Sequence, residues 1–531
     1  MRRRAGGSVL VGGSPLRVLR ITPEAVALLD ALAAGRPIEG AASVTLARRL
    51  LDAGMAHPRP PVSLPARGAP AAPAPPAGPA PPAATHPDVG VAPPSSSSSS
   101  SSIAPLQAIT AVVPVRDDAA GLDATLAGLA IPCVVVDDGS LDAAAVATVA
   151  GRRGARLFRR DAAGGPAAAR NEGLEAVRTP LVLFLDAGVL ISSPGIVALA
   201  AHLADPGVVA AAPRVLPVAA PGTPAWLAAY ETSRSPLDMG AAEGMVAPRR
   251  RVAYVPTAAI LARTTAVRAA GGFDPGLRHG EDVDLVWRLG RAGAVRYVPA
   301  VTAVHPMRPG LQAMLRQRFG YGTSSAPLER RHGTAVAPVR LSPWTAAAWG
   351  AAGARLPALA IAFGGVGVLG LRRRLRLVLP APGQGADRHP RAQLAESTSE
   401  ALRLAGLGQL RAGAMLGSAL RRDWWPLALT AGIASRRLRP AIAVAVLVPP
   451  LAGWVRRRPA LDPARWLLLW LADDLAYGTG VWRGCLAERS GRALLPELSR
   501  GAAGLGGLPG SAPASASASP PAPPSGPAPV P

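Results

Sequence analysis

Between residues 106 and 335 short aliphatic runs alternate with stretches whose apolar positions recur at helical spacing. The runs "AITAVVPV", "CVVVDDGS", "ARLFRR", "LVLFLDAG" and "VVAAAPRV" are short and mostly rich in small and branched apolar residues, which predicts strands. Strands alternating with helices predict an α/β sheet joined by right-handed crossovers. Several of the runs end in acidic or polar residues. In open α/β sheets a ligand sits beyond the carboxyl ends of the strands, so these residues should converge on one crevice.

The flanks read differently. Residues 8–57 predict a small unit that opens with two strands around a Gly-Gly-Ser turn in "SVLVGGSPLRVLRIT". A helix follows, capped by Thr22, with Pro23 at its first position, Glu24 in its first turn and Gly35 as its stop. A second helix lies in "SVTLARRLLDAGM". The outline is winged-helix-like and fits a peptide-binding module or a docking cap without a ligand. Residues 58–105 are dominated by Pro, Ala and Ser and cannot bury a core; they and the tail 508–531 predict disordered tethers. Residues 336–507 are apolar and helical. Their segment 345–371 is long enough to cross a bilayer but carries Arg355 inside it and Arg372 to Arg374 behind it. Segment 441–455 is short and broken by Pro449 and Pro450. A spanning helix, apolar helices lying on a membrane, and a helical domain packed on the rest all stay open. The division expected is 1–57, 58–105, 106–335, 336–507 and 508–531.

Charge narrows the partners. All 57 basic residues are arginine and the formal net charge is +24. The arginines stand in short clusters beside apolar runs, and aromatics make up 4% of the chain. That argues against nucleic acid and for a basic face on anionic lipid. The two cysteines, Cys133 and Cys485, exclude a disulfide scaffold and lack metal-ligand spacing, which points to a reducing cytosol. Glycines interrupt the apolar part of "MRRRAGGSVLVGG", so the expectation is a cytoplasmic protein, with the inner face of the cell membrane as the surface it would touch.

Four stretches carry chemistry. "VVVDDGS" sets Asp137 and Asp138 at a strand end, where a carboxylate can accept from a base N–H or ribose hydroxyls; Asp-Gly there is also ordinary turn chemistry. "GGPAAARNEGL" opens a helix from a Gly-rich loop and would offer N–H groups and helix dipole to a phosphate, with Arg170 beside it. "LVLFLDAGVL" delivers Asp186 to a strand end, with Gly188 two residues on. "GEDVDLVWRL" crowds Glu281, Asp282 and Asp284 into the start of a helix. Crowded carboxylates raise one another's pKa and suit one of them to proton abstraction, although an acidic first turn is also plain helix stabilisation.

Taken in order, "AVVPVRDD", "VVVDDGS", "ARNEG", "FLDAG", "GGFDPGLRHGEDVDLVWRL" and "YVPAVTAVHP" resemble the family 2 glycosyltransferases of GT-A fold, over roughly residues 108–335. "SVLVGGSPLRVLRIT", "SPLDMG", "FGYGTSSAPLERRH" and "DDLAYGTGVWRG" extend the resemblance to the glycosyltransferases of mycofactocin biosynthesis, over nearly all the chain except the two tethers. The resemblance implies a Rossmann-like nucleotide-diphospho-sugar domain behind a peptide-recognition-type N-terminal unit. It implies inverting hexosyl transfer from UDP-glucose to premycofactocin, building a β-1,4-glucan chain, with a precursor peptide or other maturation proteins as further partners.

Residue by residue, the resemblance implies that Asp138 binds uracil or ribose while Asp137 supports the loop. Pro114, Arg116 and Asp118 would lie at the nucleotide's edge, and Arg170 and Asn171 would frame the donor sugar. Asp186 would address ribose and a Mg²⁺ or Mn²⁺ ion, with His305 as a further ligand. Asp282 would be the general base, flanked by Glu281 and Asp284. The sequence departs from the family at one point: the second acid of the Asp-x-Asp pattern is Gly188. Three consequences are open: a weaker metal site from Asp186, His305 and donor oxygens; arginines such as Arg316 and Arg318 replacing the cation on the diphosphate or acceptor side; or a disabled site. Two rival functions follow, the same chemistry on a lipid or polysaccharide acceptor, and a catalytically weakened peptide-binding scaffold.

Overall fold

The computed structural model describes residues 2–4, 9–14, 16–36, 39–60, 104–378 and 390–498. The tethers expected over 58–105 and 508–531 lie outside these residues, apart from 58–60 and 104–105.

The N-terminal unit runs β1 (Arg2–Arg4), β2 (Val9–Gly12), β3 (Arg17–Arg20), α1 (Pro23–Ala33) and α2 (Gly40–Asp52). Its antiparallel sheet has the order β1-β2-β3, one strand more than the sequence predicts. Thr22 caps α1 through its hydroxyl, which accepts from Ala25 N at 3.3 Å. Leu10, Leu29, Leu46 and Leu50 form the core of the unit. It is fixed to the larger sheet by charge: Arg48 grips both oxygens of Asp205 at 3.0 and 3.1 Å, and Arg250 donates to the carbonyls of Ser14 and Asp52.

The central unit begins α3 (Ala104–Gln107), β4 (Ile109–Val115), α4 (Ala119–Ala127), β5 (Cys133–Asp137), α5 (Ala143–Arg152), β6 (Arg156–Arg159) and α6 (Pro166–Ala176). It continues β7 (Leu181–Leu185), β8 (Leu190–Ile191), α7 (Ser193–His202), β9 (Val208–Val218), α8 (Ala225–Arg234) and β10 (Gly244–Met245). It ends β11 (Ala259–Arg263), α9 (Thr264–Ala269), α10 (Glu281–Ala292), β12 (Ala294–Pro306), α11 (Leu311–Thr323) and α12 (Ser325–His332). Nine strands form one sheet in the order β10-β12-β9-β11-β7-β4-β5-β6, with β8 on β12. All five expected strands are present. The sheet is mixed, however: β11 lies antiparallel between β7 and β9. Its five apolar-rich residues have no period that separates a buried strand from a helix turn, so the sequence is silent about it.

Alternation along each strand serves both faces of the sheet. Val113, Leu183 and Leu261 enter the core on one side, Val112, Phe184 and Ile260 the core on the other. The chain leaves β4 for β5 and β6, then returns to pair β7 on β4's opposite edge. The reversal makes β4 the switch point, and the crevice forms beyond the ends of β4, β5 and β7.

The C-terminal unit comprises β13 (Arg340–Leu341), α13 (Pro343–Gly353), α14 (Pro357–Val378), α15 (Pro390–Arg421), α16 (Trp425–Ala434), α17 (Arg439–Arg457), α18 (Pro463–Ala487) and β14 (Glu497–Leu498). The stretch 345–371 is two helices rather than one span, broken where Arg355 takes φ +61°. No helix among the described residues is long and apolar enough to cross a membrane. Helix α18 packs on α11 with the backbones almost touching. A Cβ on Gly322 would stand 2.0 Å from Tyr477 O, and one on Gly480 2.0 Å from Phe319 O. That close approach is why Gly322 and Gly480 are glycine.

Candidate active site

The strand ends deliver their acids as the pattern requires, but most are already partnered. Asp137, almost fully buried, accepts from Ser140 N at 2.9 Å and pairs with Arg159, so it holds the turn. Asp138 accepts from Gly164 N and Gly165 N, 2.8 Å each, and lies 3.0 Å from Arg160 Nε. The Gly-rich loop expected to cradle a phosphate is therefore occupied from inside: an internal carboxylate takes those two amides at the start of α6. Beyond β4, Asp117 stands at φ +55° and accepts from Leu141 N, while Asp118 caps α4 through Gly121 N at 2.8 Å. Pro114 is within β4, and Arg116 is exposed at the rim. Asn171 clasps the backbone of Phe273 in both directions, donating to its carbonyl at 2.7 Å and accepting from its N–H at 2.8 Å. It orients the 271–280 loop rather than framing a sugar.

Arg170 is the centre of the constellation, with 3% of its surface exposed. It donates to Asp186 at 2.6 Å and to Glu281 at 3.0 Å, and its guanidinium lies over the Phe273 ring. Burial alone would depress its pKa, but the two carboxylate charges overcome that and raise it. Arg170 ties β7 to the start of α10.

Helix α10 then sends its three acids in three directions, since successive residues turn by about 100°. Glu281 goes to Arg170. Asp284 turns away from the crevice into a buried cluster, accepting from Arg288 Nε and hydrogen-bonded to His332, both at 2.8 Å. Burial pushes its pKa up, but the hydrogen bonds from His332 and Arg288 prevail and hold it low. This places Asp284 in the packing of α10, not beside the base. Asp282 keeps a free oxygen: Oδ1 accepts from Val283 N at 2.8 Å and Oδ2 has no partner among the described residues. Burial, and then the Glu281 charge, push its pKa up to about 7. Tyr254, before β11, and Tyr321, on α11, lie within electrostatic reach of it, and His279 meets the Tyr321 ring edge-on. These three residues carry no sequence signal beyond their type; only the fold gathers them.

The expected metal site is not formed. No three His, Cys, Asp or Glu among the described residues come together to hold an ion. Asp186 is engaged by Arg170, and His305 turns Nδ1 to the Pro306 carbonyl at 2.7 Å. Gly188 adopts φ +85°, and a Cβ there would stand 2.9 Å from Pro306 Cγ. The donor set does not fit a divalent cation. Nor does Arg318 substitute for one: it is buried against Glu231 and lies 3.2 Å from Asp473, in an ion network linking α8, α11 and α18, while Arg316 is exposed. The cation that meets the strand-end acid is Arg170.

Restoring the acid is therefore expected to fail. Gly188→Asp should cost about 1–3 kcal/mol, from the left-handed backbone and the Pro306 contact. Thermal melts with and without Mn²⁺ test this; a variant at least as stable as the native protein, or one stabilised by Mn²⁺ alone, would refute it.

The Glycosyl transferase family 2 model matches residues 110–242. Over 505 residues, 93% of this chain and 95% of the relative, the sequence is 37% identical to the pre-mycofactocin glycosyltransferase of Mycobacterium tuberculosis strain CDC 1551, and equally to that of strain H37Rv. Among solved structures, S. aureus TarS 1-349 in complex with UDP aligns over 41% of this chain and 65% of its own, at 17% identity and TM-score 0.31. GalNAc-T7 with UDP, GalNAc and Mn²⁺ aligns over 41% and 50%, at 15% identity and TM-score 0.31.

Proposed function

On the premise that this chain belongs to the pre-mycofactocin glycosyltransferases of family 2, we propose that it moves glucose from UDP-glucose onto premycofactocin with inversion, on a GT-A-type scaffold, and extends the product as a β-1,4-glucan. The observation that carries this reading is Asp282, a carboxyl held up to about 7 with one oxygen free, within electrostatic reach of Arg170, Tyr254 and Tyr321. A general base works best with a pKa near the working pH.

In this mechanism Asp282 takes the proton of the acceptor hydroxyl as that oxygen attacks the anomeric carbon. The C–O bond to the diphosphate breaks on the opposite face, so an α-linked donor yields a β-linked product and UDP leaves with the bonding pair. Arg170, shared between Asp186 and Glu281, offsets part of their charge, so the strand end repels the incoming diphosphate less. No step is routed through a metal. The intact base also makes the binding-scaffold reading unnecessary.

Incubating the purified protein with UDP-glucose and premycofactocin, and following products by mass spectrometry, tests the assignment. One or more added hexoses with β linkage are expected. Donor turnover without hexose on that acceptor, or an α-linked product, would sink it. The pH profile is a second check. Because Asp282 must be ionised to act, kcat/KM should rise with pH through an apparent pKa near 7 and fall about tenfold for each pH unit below it. A profile flat from pH 5 to 8 would exclude Asp282 as the base.

A further inference from the structure

Helix α17 shows its apolar side to solvent. Its inner side is fixed by specific contacts: Trp466 Nε1 donates to Pro450 O at 2.9 Å, and a Cβ on Gly453 would stand 2.7 Å from the Trp470 ring. Pro449 lacks the N–H that the Ala445 carbonyl would bond in a regular helix. Arg421 supplies the donor instead, at 2.8 Å. With that side locked, the helix cannot roll to bury the other.

The other side carries Val444, Leu447, Val448, Leu451 and Val455, spaced i, i+3, i+4, i+7, i+11 and 39 to 62% exposed. They form a stripe about 17 Å long at 1.5 Å per residue. Leu427, Leu429 and Ile433 of α16 are exposed as well. Charge marks both ends of the stripe. The 38 residues from 424 to 461 contain six arginines and no Asp or Glu. Arg436, Arg437 and Arg439 lie at the amino end, Arg456, Arg457 and Arg458 at the carboxyl end, all exposed and none ion-paired among the described residues; Arg439 and Arg456 donate to nearby carbonyls of Gly432 and Ala452, and Arg457 turns inward to the Ser233 carbonyl. Contiguous exposed apolar surface on a folded protein marks a contact site. A second copy of the chain could cover the stripe only by setting cationic ends against cationic ends, with no acid between them. An apolar stripe between unpaired arginines fits a bilayer surface instead, side chains at the acyl boundary and guanidinium groups on the phosphates.

We propose that α17, with α16 beside it, seats the protein on an anionic lipid surface, lying in its plane rather than crossing it. Co-sedimentation of the full chain with vesicles of equal parts phosphatidylglycerol and phosphatidylcholine, and with pure phosphatidylcholine vesicles, tests this. The native protein should bind the anionic vesicles at least about tenfold more tightly, and high salt should weaken binding. Leu447→Asp/Leu451→Asp should lose about tenfold or more, and Arg456→Gln/Arg458→Gln should lose the anionic preference. Both variants alter exposed positions, so their melting temperatures and transfer to a soluble acceptor should match the native protein. Native protein that stays in the supernatant with anionic vesicles overturns the proposal, as does vesicle binding that Leu447→Asp/Leu451→Asp leaves intact. A native dimer that the same variant turns monomeric, without vesicle binding, assigns the face to a second copy instead.

Discussion

Replacing Asp282 by Asn is expected to lower kcat by about 10²- to 10⁴-fold, the range set by removing a positioned general base, and at the same time to stabilise the fold. Both effects have one cause. Burial and the neighbouring Glu281 charge make ionised Asp282 costly, which is why its pKa stands near 7 rather than 3.8. A raised folded-state pKa means that the native protein holds the proton more tightly than the unfolded chain does. The contribution to stability is then full below about pH 4 and lost as pH rises through 7. Asparagine carries no charge to bury, and its carbonyl oxygen can still accept from Val283 N. At pH 8 the variant should therefore be more stable by about 1–3 kcal/mol, with the gain vanishing near pH 4. Urea melts at pH 4.5 and 8 beside a transfer assay measure both halves. Full activity in Asp282→Asn removes the base, and a variant less stable at pH 8 removes the electrostatic account.

Replacing Arg170 by Met is expected to be the most destructive single change in the catalytic unit. Asp186 and Glu281 both rely on this one guanidinium, and truncating the cation leaves two carboxylates without compensation. Breaking a buried ion group from one side typically costs about 3–5 kcal/mol. The expected result is a protein that melts early and transfers no sugar. Neutralising the acids as well, in Arg170→Met/Asp186→Asn/Glu281→Gln, should recover most of the stability, because no buried charge then lacks a partner. Transfer should return only in part: a neutral strand end does not repel the diphosphate, but Asp282, freed from the Glu281 charge, becomes a weaker base. Arg170→Lys retains one charge but cannot fork to two acceptors, and should fall between. If Arg170→Met melts within about 1 kcal/mol of the native protein, the bridge is not what joins β7 to α10.

Much of this molecule is written locally. Thr22 before Pro23, the aliphatic runs that became β4, β5, β7 and β9, and the acidic first turn of α10 are each legible within about ten residues. Their causes, side-chain periodicity and end-capping, act over that distance. From "GEDVDLVW" alone only a crowd of three acids is legible; the choice of Asp282 among them rests on the family resemblance. Partnership is another matter. Glu281 meets Arg170 across 111 positions and Arg318 meets Glu231 across 87, so nothing near either arginine reveals which acid it will find. Three acids that look like one cluster in the sequence are parted by the turn of the helix, and Asp284 leaves the crevice. Gly188 reads as a missing ligand, yet only the left-handed backbone and the Pro306 ring show that no ligand fits there. The sequence by itself determined most of the strands and helices, though not β1 or β11, and which carboxylates reach their ends. Tertiary structure alone decided which of those carboxylates stays free, because pairing between charges depends on distance in space, and the chain fixes that distance only when it is folded.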